Sequence, residues 1–431
     1  MSPQQNRIIY SFYCNSGLRE VIPIYPLYAI MFTEHGISPI GLSSLFIIWA
    51  MVGLLVEVPS GALADTYSRK WLVVLSGLFK SSAFLSWYLE QNFYGYALGF
   101  ILWGTGSSLR SGAWEALLYD LLKSWQNEFM FTKIYARVRA LALLGVGLGE
   151  LLGGVLIVNG YDWVLLVSMM IPILATLPFI IYVEEPTRSP PPGEAHTPTN
   201  IAVHKPGYYE VLLEGLREAI SNRSVLYILL VSSLLIMTHG VYDEFISPTL
   251  REKGFSLQLV AFLGAFVYFS ESAGIIIADR FRSISLSSLL GCIGLAGIIL
   301  MGAVFSARAG VVISIAVFTF LFGFASTLFG AELQRVIEST SRATVTSVIG
   351  FGEEIGGITG FLLFGWVAEY HGMIGGTFAT SLLVVSLAAF FIWLGRRWHI
   401  QTIPANGITI VVTIVYDVQL LPFRRARLWM L

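Results

Sequence analysis

The chain has 431 residues, of which 55% are hydrophobic and 12% charged, with a formal net charge of -1 and a mean hydropathy of +0.73. A water-soluble globule is excluded, because too little polar surface is left to cover its outside. The balanced charge argues against a nucleic-acid partner, Cys14 and Cys292 lie in apolar runs and are expected to be packing residues rather than a disulfide or zinc framework, and no Gly-rich phosphate cradle ending in Lys-Ser or Lys-Thr is present to drive pumping directly by a nucleotide.

In chain order, apolar runs long enough to cross a bilayer lie near 8–32, 40–64, 71–90, 94–120, 136–158 and 163–183, and then near 225–247, 257–278, 283–305, 309–334, 343–368 and 372–394. The first run starts almost at Met1, contains Arg19 and Glu20 and has no small-residue cleavage site, so it reads as a span and not as a signal peptide. The expected domains are an amino-terminal six-helix bundle (1–183), a cytoplasmic linker (184–224), a carboxy-terminal six-helix bundle (225–394) and a tail (395–431). The linker opens Glu-Glu-Pro-Thr-Arg-Ser-Pro-Pro-Pro-Gly, which cannot continue a helix; from Tyr208 to Ser221 a surface helix is expected, with Tyr209, Leu212, Leu213 and Leu216 toward the membrane. In the tail, Gly407 to Leu421 is apolar but too short for a thirteenth span.

Most of the 26 Lys and Arg fall on one face of this twelve-span arrangement, among them Arg7, Arg69, Lys70, Lys123, Arg280 and Arg396, while the opposite loops hold Arg251, Lys253 and Arg308. The positive-inside rule then predicts that both termini are cytoplasmic, in a multi-pass protein of the cell's inner (plasma) membrane.

The turn between the second and third runs reads Glu57-Val-Pro-Ser-Gly61-Ala-Leu-Ala-Asp65-Thr-Tyr-Ser-Arg69-Lys70. It resembles the loop signature between helices two and three of the major facilitator superfamily of secondary transporters. The resemblance covers about residues 8 to 394 and implies an all-α membrane protein with twelve transmembrane helices in two pseudo-symmetric six-helix bundles. It also implies that Gly61, Asp65, Arg69 and Lys70 form a cytoplasmic gate holding the halves together when the protein opens outward. The row Gly145-x-x-x-Gly149-Glu150-x-x-Gly153-Gly154 resembles the fifth-helix signature of the proton-coupled antiporters in that superfamily, where the position of Glu150 is proline.

The halves echo one another. Gly147-Leu-Gly-Glu150-Leu-Leu-Gly-Gly154 returns as Gly350-Phe-Gly-Glu353-Glu-Ile-Gly-Gly357, and Glu57 precedes Asp65 as Glu271 precedes Asp279. Parallel repeats of this kind build alternating-access transporters.

Intramembrane charge locates the candidate site, since each ion in hydrocarbon costs roughly 2.5–3.5 kcal/mol unless it faces water or a partner. By helix rise, Glu57 stands about 12 Å inward from Asp65 and Arg110 about 15 Å inward from Asp120, and Arg19 and Glu20 reach a similar depth. These four, with Glu115 nearer the cytoplasm, are expected to line a cavity of the first half; the alternative is that pairs such as Glu57 and Arg110, or Arg19 and Glu115, lock the bundle. The second half is acidic: Asp243 and Glu244 toward the outer end of the seventh span, Glu271 and Glu332 nearer the cytoplasm, and Glu353 and Glu354 in the eleventh. The candidate substrate or proton route is Arg19, Glu20, Glu57, Arg110, Glu115, Glu150, Glu271 and Glu353, with Tyr13, Tyr25, Tyr28, Trp103, Trp114 and Tyr268 available to stack on a cation.

The expectation is a monomeric secondary transporter, not an enzyme and without cofactor or metal, whose partners are a small-molecule substrate, protons and the lipid bilayer. It would export a small amphiphilic or cationic solute by proton exchange. The alternatives are a proton-coupled or facilitative importer of a nutrient or organic anion, which Arg19 and Arg110 favour for an anion, and a membrane receptor or scaffold that does not transport.

Overall fold

The computed structural model describes residues 1–185, 217, 223–278, 280–281, 284–336 and 342–398. The linker helix expected at 208–221, the tail from 401, Asp279, and the side chains of Asp65 and Glu332 lie outside what is described.

Every regular element among the described residues is helical: α1 (Pro3–Arg19), α2 (Tyr28–Glu34), α3 (Pro39–Thr66), α4 (Arg69–Leu89), α5 (Phe93–Ser124), α6 (Phe131–Leu156), α7 (Tyr161–Tyr182), α8 (Arg223–Glu252), α9 (Leu257–Ala278), α10 (Leu286–Phe305), α11 (Arg308–Val336) and α12 (Arg342–Arg397). Side-chain caps start several of them. Ser38 accepts from Gly41 N ahead of Pro39, Ser68 from Trp71 N, and Asn92 from Tyr94 N and Gly95 N. Among the described residues, nine stretches are long and apolar enough to span a membrane. One of them, within α12, folds back at Gly372, whose φ of 73° breaks the helix into two arms. The Glu252 carboxylate caps the second arm, accepting from Met373 N at 2.6 Å. With α5 and the α1–α2 pair, the elements make up the twelve spans expected.

The first span is not one helix. Between α1 and α2 the chain from Glu20 to Leu27 leaves helical geometry, because Pro23 and Pro26 lack the donors a helix needs and disfavour helical backbone in the residues before them. Unwound backbone inside a bilayer must be covered by protein, and α6 covers it with glycine. A Cβ on Gly145 would sit 2.3 Å from Gly17 O, on Gly149 2.5 Å from Ile22 N, and on Gly153 2.3 Å from Pro23 O. The fifth-span glycine row thus packs on unwound chain as well as on helix. Its repeat partner behaves alike: Gly352, Gly356 and Gly360 of α12 press on Ser233, Met237 and Val241 of α8, the first helix of the second half.

The halves meet through α3 with α12, α6 with α9, and α2 with α8. At the face opposite the amino terminus the seam is shut. Glu34 binds Arg251 at 2.8 Å and Tyr161 Oη at 2.8 Å, Glu369 accepts from Ile40 N at 3.0 Å, and Phe46 packs on Phe245 and Phe361. At the amino-terminal face the described residues leave it open. Along α3, Leu55 is 63% exposed, and Gly53 and Gly61, like Gly357 of α12, have no neighbour among the described residues within 4 Å for an added Cβ to meet. Cys14 is exposed and not a packing residue, and Cys292 is half-buried; both are free thiols.

Candidate functional site

A cavity of about 170 Å³ lies between the halves at the level of the unwound segment. Tyr25 and Tyr28 reach it because the break after α1 turns the chain across the bundle, and Trp49 and Trp103 come from α3 and α5. Tyr25 and Trp103 stack at 5.4 Å with ring planes 8° apart. Opposite them, α8 supplies Asp243 and Glu244, α9 supplies Tyr268, and α6 supplies Glu150. Tyr268 Oη donates to Asp243 at 3.0 Å, and Tyr28 Oη donates to Glu244. Glu150 is 3% exposed and its Oε2 has no hydrogen-bond partner among the described residues. It lies over Gly264, where an added Cβ would come 3.1 Å from that oxygen.

The ionisable groups lining this cavity, other than tyrosine, are Glu150, Asp243 and Glu244, all carboxyls. Cations exist nearby but behind the aromatic wall. Lys80 Nζ sits 5.2 Å from the Tyr25 ring and 5.6 Å from the Trp103 ring, and binds Glu20 at 3.2 Å. Glu20 also accepts from Tyr25 Oη at 3.0 Å. Arg19 donates to Ser76 at 2.7 Å and stands 3.8 Å from Glu20; Arg110 donates to Ser16 at 3.1 Å with its guanidinium 5.2 Å from the Trp114 ring.

Of the residues the sequence singles out, Arg19, Glu20 and Arg110 are therefore brought together, with Lys80 as the counter-ion that sequence reading left aside. Lys80 was legible as a lysine in mid-span; what it pairs with was not. Glu57 does not join them. Its side chain is exposed on the open part of α3, within electrostatic reach of Glu354 on α12, and it forms no ion pair with Arg110 among the described residues. Helix rise sets a residue's depth but not the direction it faces, and that is where the expected pair fails. Glu115 is also exposed, accepting from Tyr135 Oη at 2.6 Å, and among the described residues it forms no ion pair with Arg19.

Glu150 lies in the cavity, whereas its repeat partner Glu353 is half-buried beside Glu354, at the seam between α3 and α12. Glu271 stands at the inner part of α9, 3.9 Å from His239 Nε2 of α8. Asp243 and Glu244 are central and not at the outer end, because α8 runs on to Glu252, past the apolar run that marked the expected span. His239 was missed; the signal was an imidazole four residues before Asp243 on one helix face.

At the turn between α3 and α4, Arg69 pairs with Asp120, donates from its backbone to Glu185 at 2.9 Å and from Nε to Ala64 O at 3.1 Å. Lys70 donates to Ile180 O at 3.0 Å. These contacts lie within the first half and the residue Glu185 that follows it.

Comparison with curated proteins finds no match. Solved structures share the fold. A nucleoside transporter, NupG, aligns with a TM-score of 0.68 at 12% identity, over 93% of this chain and 100% of that one. A bacterial homologue of the human lysosomal transporter Spinster, in an inward-facing and occupied conformation, aligns at 0.69 and 13% identity, over 92% and 98%. The POT-family transporter PepTSo aligns at 0.65 and 14%, over 93% and 99%. At these identities the likeness is one of fold. The Major Facilitator Superfamily profile matches residues 11–361, and together with two six-helix halves closed at one face and open at the other it identifies the chain as a multi-pass membrane protein belonging to that superfamily of transporters.

Proposed function

We propose that the protein exports a small cationic or amphiphilic solute in exchange for protons, by alternating access at the central cavity. The observation that carries this reading is the cavity's one-signed lining: carboxyls at Glu150, Asp243 and Glu244 beneath aromatic faces, with Lys80 screened behind Tyr25 and Trp103. A cation gains from both, by ion pairing and by ring quadrupoles at roughly 0.5–2 kcal/mol each, and an anion would meet uncompensated like charge. Glu150 supports exchange in particular. A buried carboxylate without a partner is costly, so the group is stable when it carries a proton or faces a bound cation. One site that takes either ion but not both converts an inward proton gradient into outward movement of the solute.

With the amino-terminal face taken as cytoplasmic from the charge bias, the shape described is inward-open, the state that would load cytoplasmic solute. Arg69, Lys70, Gly61 and Asp65 then serve as the inner gate, with Arg69 parked on Asp120 while the gate is open. The test is counterflow in proteoliposomes over ammonium, neutral and anionic solutes, with and without a pH gradient. Ammonium solutes are expected to exchange and to be concentrated only when the gradient is present. Exchange of anions in preference to ammonium compounds would sink the reading.

A further inference from the structure

We propose that His239 carries the coupling proton between the central cavity and the open vestibule, receiving it from Asp243 and passing it to Glu271, along a ladder between α8 and α9 that bypasses the aromatic wall. The proposal rests on the proton-exchange reading above. Its basis is the order of groups along two packed helices. Glu271 is the vestibule end, with its side chain 24% exposed, and His239 Nε2 faces it at 3.9 Å. Asp243 is the cavity end, held by Tyr268. His239 and Asp243 are four residues apart on α8, and Tyr268 and Glu271 three apart on α9, so each pair shares a helix face.

The geometry suits transfer better than a fixed tie. At 3.9 Å the imidazole and Glu271 are beyond hydrogen-bond reach, and Nε2 is buried without a partner among the described residues. The ring lies flat against Phe322, with centroids 4.3 Å apart and planes 9° apart, a face that holds the ring plane without binding either nitrogen. Glu271 in turn is seated on Gly323 of α11, where a Cβ would come 2.9 Å from its Cγ. Among the described residues, the groups that act on the imidazole are Asp243 on its own helix and Glu271 on α9, with Glu244, Tyr268 and Glu150 gathered about Asp243 and its tyrosine, while α11 presents Phe318 and Phe322. None of these described groups is a cation, so an imidazolium formed in transit is stabilised by carboxylates.

The step balances as one proton in and one out. As solute loads from the open face, the Asp243 carboxylic acid gives its proton to the neutral ring, and the imidazolium gives one to the Glu271 carboxylate; in the other direction the order reverses.

The experiment uses the full chain in proteoliposomes with trapped pyranine to read proton flux and ethidium as the cationic probe. His239→Gln and, separately, Glu271→Gln are expected to cut ethidium-evoked proton flux at least about tenfold, the loss of a proton-transferring group, while ethidium counterflow without a pH gradient stays within about twofold. Glutamine keeps polarity and approximate size, so a merely structural tie would lose counterflow and proton flux together. Retention of full proton flux in both variants, or equal loss of both readouts, overturns the relay while leaving proton exchange standing. No ethidium-evoked proton flux in the unsubstituted protein overturns the exchange reading and the relay with it.

Discussion

Among single residues, Lys80 and Glu150 are opposites in the same membrane. Lys80 is 2% exposed yet satisfied, with Glu20 at 3.2 Å and two aromatic faces above it. Lys80→Met should therefore be destabilising by about 3–5 kcal/mol, because it strips Glu20 of its nearest cation. Lys80→Met with Glu20→Gln should recover part of that loss, read as melting temperature in detergent. Glu150 is buried but unpartnered, so Glu150→Gln is expected to leave the melting temperature within a few degrees and to reduce ammonium transport at least about tenfold, the scale of one lost charge contact. Unimpaired transport in that variant would remove Glu150 from the solute site.

At the level of elements, the row Gly145, Gly149 and Gly153 decides whether the first span can unwind inside the bilayer. Gly149→Ala places a methyl 2.5 Å from Ile22 N, backbone that cannot step aside, and should cost about 1–3 kcal/mol as overpacking. Gly61→Ala, with nothing within 4 Å, should be neutral for stability in the open state described here. Comparing the two variants by thermal unfolding tests the packing account, and equal destabilisation would refute it. The glycine echo in α12 obeys the same rule on α8, so the repeat is one of packing before it is one of chemistry: Glu150 is covered by α9, and Glu353 looks onto an open seam.

For the whole molecule, the polar ties of the closed face among the described residues include Glu34 with Arg251, which joins the two halves at partly exposed positions. An exposed pair of this kind contributes roughly 0.2–1 kcal/mol, enough to shift a two-state equilibrium by up to about fivefold. Glu34→Gln should raise labelling of a cysteine introduced at Ser247, in the cavity, by an impermeant maleimide added from the closed face, in a background lacking Cys14 and Cys292. Asp65→Asn should act in the opposite sense, favouring the state open at the amino-terminal face, since it weakens the proposed inner gate. If neither substitution changes labelling, the two faces are not alternating gates.

Composition, span count, the two-half repeat and the Gly61 to Lys70 turn were legible in the sequence because each depends on residues close along the chain: an apolar run must span, and a six-residue turn must sit at the surface. Arg19, Glu20 and Arg110 could be brought to one depth by counting helix rise. What counting cannot supply is which way a helix faces and which helix lies beside it. That is why Glu57 was expected against Arg110 and stands instead on the open seam, why Lys80 had no assigned partner, and why His239 was overlooked although it lies one turn from Asp243. The acidic lining of the cavity belongs to no single stretch. It arises only when α6, α8 and α9 from two halves converge while Tyr25 and Trp103 close off the cations behind them, an outcome of helix rotation and packing that tertiary structure alone decides.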